Sequence, residues 1–152
     1  SMNDIVWSVN TKNDQLAHVI DRMQAFAQPL CEASDIELTF HIAEGLPARK
    51  LGMEERKSLY LIFKEAVNNA VKHAQCSRIE VSLRRGSDGS IELVVADNGT
   101  GLRDGSPHEP SLGGNGLGNM RRRAGDVGGE LLHRSGSPTG TEVVFSIPSG
   151  WG

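Results

Sequence analysis

Between Met53 and Gln75 neither glycine nor proline interrupts the chain, and strong helix formers dominate. Such a stretch predicts one long helix, and its apolar positions say which side is covered. Leu59, Ile62, Phe63, Ala66, Val67, Ala70 and Ala74 recur at steps of three and four residues, so one stripe faces a core. Glu65, Asn69 and Lys72 stand at i, i+4 and i+7 and stack on the neighbouring face. A carboxylate there can accept a proton or hold a water. A carboxamide oxygen is a hard ligand that suits magnesium, and an ammonium can neutralise a phosphate oxygen. The same three residues also fit the solvated half of an ordinary surface helix, so their meaning depends on the rest of the chain.

At 152 residues and 38% hydrophobic content, the chain fits one globular domain with a sizeable core. Its 16 basic and 19 acidic side chains give a net charge of −3, which points away from nucleic-acid and membrane surfaces. Cys31 and Cys76 have neither paired nor zinc-type spacing and read as reduced, buried thiols of a cytoplasmic protein. No apolar run approaches the ~20 residues of a membrane span. Ser1 before Met2 is what tag removal leaves, so the chain is expected to be an excised piece.

Along the chain, Ile5, Trp7 and Val9 alternate in a segment that fits a short strand or the tail of a helix. A helix capped by Asn13 or Asp14 is predicted next, with Leu16, Val19, Ile20, Met23, Phe26, Ala27 and Leu30 on its apolar face and Pro29 threatening its last turn. Ile36 to Ile42 alternates as a half-buried strand, and Gly45-Leu46-Pro47 reads as a turn or loop. After the long helix, 78–85 and 91–97 read as a hairpin turning at Gly86–Ser90. Residues 98–116 form a glycine-rich loop, 117–127 a helix, and 130–135 with 141–147 a last hairpin. Hairpins imply antiparallel pairing. The expected fold is therefore α+β, a two-layer α/β sandwich whose mixed, mostly antiparallel sheet carries helices on one face.

Asp97-Asn98-Gly99-Thr100-Gly101 follows directly on a strand. A carboxylate there, with glycines that let the backbone approach, can accept from the amine of a flat ring; Asp-Asn-Gly also makes a good Asx turn at a sheet edge. Gly113-Gly114-Asn115-Gly116-Leu117-Gly118 opens a helix, where free N–H groups favour an anion or where glycines simply hinge a lid. No Gly-Lys-Ser/Thr occurs, which excludes a P-loop, and the Gly114, Gly116, Gly118 spacing is not the dinucleotide fingerprint.

Taken together these motifs carry a resemblance. Glu65-x-x-x-Asn69-x-x-Lys72-His73-Ala74 resembles an N box, and Asp97-x-Gly99-x-Gly101 the first glycine box. Gly114-x-Gly116-Leu117-Gly118-x-Met120 resembles the second, and Gly140-Thr141 precedes the last strand. In this order they resemble the ATP-binding domain shared by gyrase B, Hsp90, histidine kinases and MutL, the Bergerat or GHKL fold. Asn68 to Ala74 and Gly118 to Ala124 are similar to sensor histidine kinases that partner NarL- or LytR-type response regulators. Residues 1–12 resemble the linker that follows the dimerisation helices in such kinases, although Thr11 stands where family members often carry proline. Residues 13–149 would be the catalytic domain, with 102–116 as its ATP lid.

The resemblance implies the following roles. Asp97 accepts from the adenine amine, and Gly99 and Gly101 give the ring room. Asn69 is the Mg2+ ligand among the ATP phosphates, Lys72 and His73 contact those phosphates, and Glu65 orients or deprotonates the nucleophile. Gly114, Gly116, Leu117 and Gly118 shape the lid and the helix start, and Thr141 supports the adenine pocket. The implied activity is phosphoryl transfer from ATP to a histidine on a separate dimerisation domain, with a cognate response regulator as further partner. No histidine of this chain sits in an acceptor context, so the piece is not expected to phosphorylate itself. A free-standing anti-sigma-factor serine kinase and a non-catalytic nucleotide-responsive module are the competing readings. Arg121 to Arg123 read as a solvated helix face, His18, His41, His108 and His133 as ordinary surface residues, and Trp7 and Phe26 as packing residues.

Overall fold

The computed structural model describes residues 14–44, 46, 51–73, 75–99, 116–135 and 139–148. The segment around Trp7, the Gly45 and Pro47 turn positions, and the lid readings on Gly101 and Gly114 lie outside the described residues.

Three helices and five strands follow in the order α1 (Asp14–Ala33), β1 (Glu37–Ile42), α2 (Met53–His73), β2 (Arg78–Arg85), β3 (Ile91–Asp97), α3 (Gly116–Asp126), β4 (Glu130–Ser135) and β5 (Thr141–Ile147). The sheet order is β1-β2-β3-β5-β4. β1 pairs with β2 in parallel, and every other pair is antiparallel. The expected mixed sheet is therefore present, and the parallel pair follows from α2 crossing over between β1 and β2.

One face of the sheet is packed by the helices. Ile79, Val81 and Leu83 of β2, Leu93 and Val95 of β3, and Val143, Phe145 and Ile147 of β5 alternate inward to meet Leu59, Ile62, Phe63, Ala66 and Val67 of α2. The period of two on the strands and of three to four on α2 thus generate the same core. On the open face, ion pairs from Arg84 to Glu92 and from Arg134 to Glu142, each 2.9 Å, bridge neighbouring strands.

Local chemistry sets the helix ends. The Gly52 N–H donates to Glu55 Oε1 at 2.8 Å before α2, and Glu54 and Glu55 favour its positive end. Lys72 and His73 occupy its last turn, and Gln75 then turns left-handed at φ 54°. α2 therefore stops two residues short of the predicted Gln75. Pro29 does not end α1, which runs on to Ala33. Met23, Ala27 and Cys31 anchor that helix in the core, while Pro29 and Ala25, whose carbonyl loses its partner, face solvent.

Candidate functional site

The candidate site residues lie at the end of β3, on the C-terminal half of α2 and at the start of α3, which packs on α2. Asp97 is the last residue of β3 and pairs in register with Thr141, the first of β5. One carboxylate oxygen accepts from the Gly99 N–H at 2.9 Å, so the Asx turn exists and fixes the side chain. Burial pushes the Asp97 carboxyl above the usual carboxylate range, and the backbone N–H groups of Gly99 and Thr141 pull it partly back. A half-buried carboxylate held by main-chain donors is a poised acceptor for a ligand donor.

Asn98 ties this corner together. Its Oδ1 accepts from the Ser77 and Arg78 N–H groups, both at 2.9 Å, and its Nδ2 donates to Ser77 Oγ at 3.0 Å. Its own N–H donates to the Arg78 carbonyl at 3.3 Å, and its carbonyl accepts from Thr139 Oγ1 at 3.5 Å. Gly140 closes on the same corner from the other side. At φ +94° a Cβ there would lie 1.8 Å from the Asp97 carbonyl oxygen, so only glycine fits. The sequence motifs include Gly140 ahead of the last strand but assign no role to it or to Asn98. The Asp-Asn-Gly turn signal marks Asn98, but its partners stand 20 and 21 residues away and leave no local trace.

Along α2, Glu65 and Asn69 are half-buried, and the start of α3 lies against both. A Cβ on Gly116 would come within 2.7 Å of Glu65 Oε2 and 3.3 Å of Asn69 Nδ2. Ser58 Oγ donates to the Arg123 carbonyl at 3.2 Å and pins α3 to α2 further along. The helical spacing of Glu65 and Asn69 and the glycine spacing around Gly116 thus describe two elements in direct contact. Leu117 is half-buried against the core, whereas a Cβ on Gly118 would meet nothing within 4 Å among the described residues. Lys72 and His73 are exposed at the end of α2. Among the described residues no three His, Cys, Asp or Glu side chains cluster as a metal cage. A magnesium ion that keeps most of its waters needs only one protein oxygen, and the Asn69 carboxamide fits that demand.

The cysteines are free, Cys31 buried and Cys76 half-buried. Burial and the neighbouring Cys76 push the Cys31 thiol up to about 11. Burial and the nearby Asp97 carboxylate also raise Cys76, whose Sγ donates to the Ala70 carbonyl of α2 at 3.8 Å. No described helix is long and apolar enough to cross a membrane.

A family profile described as histidine kinase-, DNA gyrase B-, and HSP90-like ATPase matches residues 54–150. The chain belongs to this ATPase family. Within it, the nitrate/nitrite sensor protein NarQ of Escherichia coli is 41% identical over 107 residues, covering 70% of this chain and 18% of NarQ. The chain thus spans about a fifth of the length of that relative. Its fold superposes on the histidine kinase domain of an Erythrobacter litoralis blue-light activated kinase with a TM-score of 0.68 at 20% identity, covering 86% of this chain and 61% of that one. Full-length ShkA, solved in complex with AMPPNP, gives a TM-score of 0.73 at 19% identity over 90% of this chain and 30% of its own. The chain is an ATP-binding catalytic domain of the sensor histidine kinase kind.

Proposed function

We propose that this domain binds Mg-ATP between α2 and the start of α3 and hands the γ-phosphoryl group to a histidine of a separate dimerisation domain. The observation that carries this reading is Gly116 seated against Glu65 and Asn69. Glycine is the residue that lets the start of α3, with its free N–H groups, come this close to both side chains. Asp97 accepts from the adenine amine, while Gly99 and Thr141 hold it in place. Asn69 offers its carboxamide oxygen to magnesium, which when bound neutralises the charge that builds on the transferring phosphate. Lys72 and His73 meet the phosphates from the last turn of α2. The N-terminus of α3, with Gly114 before it and Leu117 and Gly118 within its first turn, turns N–H groups toward the same anion. Glu65 faces the incoming imidazole and accepts its proton, so positioning supplies most of the catalysis. A response regulator of the NarL or LytR type then receives the phosphoryl group, and the cytoplasm is where the domain works.

Calorimetric titration with a non-hydrolysable ATP analogue and magnesium tests this on the parent and on Asp97→Asn. Micromolar, magnesium-dependent binding is expected, weakened roughly 100-fold in the variant, which is about 2.7 kcal/mol. Absence of binding in the parent, or unchanged binding in the variant, would refute the assignment.

A further inference from the structure

A second concave surface lies on the other side of α2. α1 and α2 run side by side in the same direction. Gln15 Oε1 accepts from Arg56 at 3.1 Å near their starts, the Arg22 guanidinium lies 4.3 Å over the Tyr60 ring, and Lys64 lies 5.3 Å over Phe26 further along. Between the two helices runs an open groove of about 650 Å³.

The groove is cationic. His18 and Arg22 line it from α1, and Arg56, Lys57 and Lys64 line it from α2. Among the described residues no carboxylate lines it, and none of these five side chains pairs with one. The contrast is with the sheet, where Arg78, Arg84 and Arg134 each have an acidic partner. A chain of net charge −3 has carboxylates to spare, yet among the described residues it gathers like charges here without a counter-ion. Both helices also point their positive ends toward the same end of the groove.

The floor is apolar. Val19, Tyr60 and Leu61 line it, and Met53 stands at its mouth with 70% of its surface exposed. The lining on α2 runs from Met53 to Lys64, about 16 Å of helix at 1.5 Å per residue. A small anion would satisfy the cations but leave that apolar strip wet. An occupant with carboxylates along its flanks and a stripe of apolar side chains satisfies both.

We propose that the groove between α1 and α2 docks an acidic amphipathic helix of a protein partner. The apolar stripe of that helix lies on Val19, Tyr60, Leu61 and Met53, and its carboxylates reach Arg22, Arg56, Lys57 and Lys64. The surface is distinct from the nucleotide cleft, because neither Glu65 nor Asn69 lines it. Since α2 carries both, a bound helix bears directly on the element that holds Glu65.

The test is a nuclear magnetic resonance titration of the whole isotope-labelled chain. The probe is a synthetic helical peptide with glutamates on its flanks and leucines at i, i+3, i+4 and i+7. Saturable shifts confined to α1 and the first half of α2 are expected, and they should weaken as salt rises. Arg22→Glu with Lys57→Glu, both exposed positions, should reduce affinity roughly tenfold or more. Met53→Ser should reduce it by a smaller factor, and thermal unfolding should confirm that each variant is folded. A silent peptide, or binding indifferent to the charge reversal, would overturn the proposal. Tripolyphosphate or anionic vesicles binding in place of the peptide, with Met53→Ser without effect, would overturn it too, as a plain anion site. None of these readouts involves ATP, so the nucleotide assignment stands or falls separately.

Discussion

The two ends of the proposed nucleotide site are built by different means. At the Asp97 end the geometry is main-chain. Asp97 is fixed by N–H groups, Asn98 ties the strand end to residues 77 and 78, and Gly140 backs onto a carbonyl with no room for a methyl group. At the Glu65 end the geometry is side-chain. Glu65 and Asn69 project from a regular helix, and one glycine lets the start of α3 approach them closely. The difference separates fold from chemistry. A change to the main-chain frame of the first end, at Asn98 or Gly140, should unfold and disarm together, whereas a change at the second should disarm a folded domain.

Gly140→Ala breaks the first end most severely. The new Cβ overlaps the Asp97 carbonyl, and the backbone sits at a φ that alanine resists. A loss of roughly 3 kcal/mol or more is expected in urea unfolding, with nucleotide binding abolished. Asn98→Ala should follow. Three side-chain hydrogen bonds disappear, each contributing about 1 kcal/mol, and water replaces part of them at this exposed position. A loss of about 2 kcal/mol is expected, with weakened binding of the ATP analogue as Asp97 loses its frame. A variant that keeps full stability but binds weakly would show that the corner is not a structural unit.

How far the sequence exposes each end follows the same division. The Glu65 end is written in local periodicity: a helix repeat places Glu65, Asn69 and Lys72 together, and glycine spacing flags Gly116. The strand and helix boundaries are legible for the same reason, since burial alternates with the local repeat in β2 and α2. Asn98 and Gly140 are not legible as a pair, because what they touch is brought to them by the pairing of β3 with β2 and β5. Pro29 misleads in the opposite sense. The local rule ends the helix there, but Cys31 still lies on the core-facing stripe and holds the last turn in place.

Asp97 offers a pH test of the first end. Its carboxyl is raised in the folded domain from an ordinary value of 3.8, so the folded state binds the proton more tightly than the unfolded chain. Stability therefore falls as pH rises through the interval above 3.8 and is greatest where the group is protonated in both states. Asp97→Asn should remove that dependence, melting no lower than the parent at neutral pH while losing the ligand. Thermal unfolding of both proteins across the acidic range reads this directly. A variant that melts well below the parent at neutral pH would mean that the charge itself holds the corner together.

Gly116 and Gly118 sharpen the comparison at the second end, because they sit two residues apart in one helix turn and meet opposite surroundings. Gly116→Ala drives a methyl group toward Glu65 Oε2 and Asn69 Nδ2. Both are side-chain ends that can swing aside, so the fold should survive while binding falls by roughly tenfold, about 1.4 kcal/mol. Gly118→Ala faces open space among the described residues, and alanine is the better helix former. That variant should gain about 0.5–1 kcal/mol in urea unfolding and, if the second end is set by side chains alone, bind the ATP analogue as the parent does. Weak binding in a stabilised Gly118→Ala would carry a different lesson. The first turn of α3 would then have to open around the phosphates, and flexible main chain would belong to this end of the cleft as fixed main chain belongs to the other.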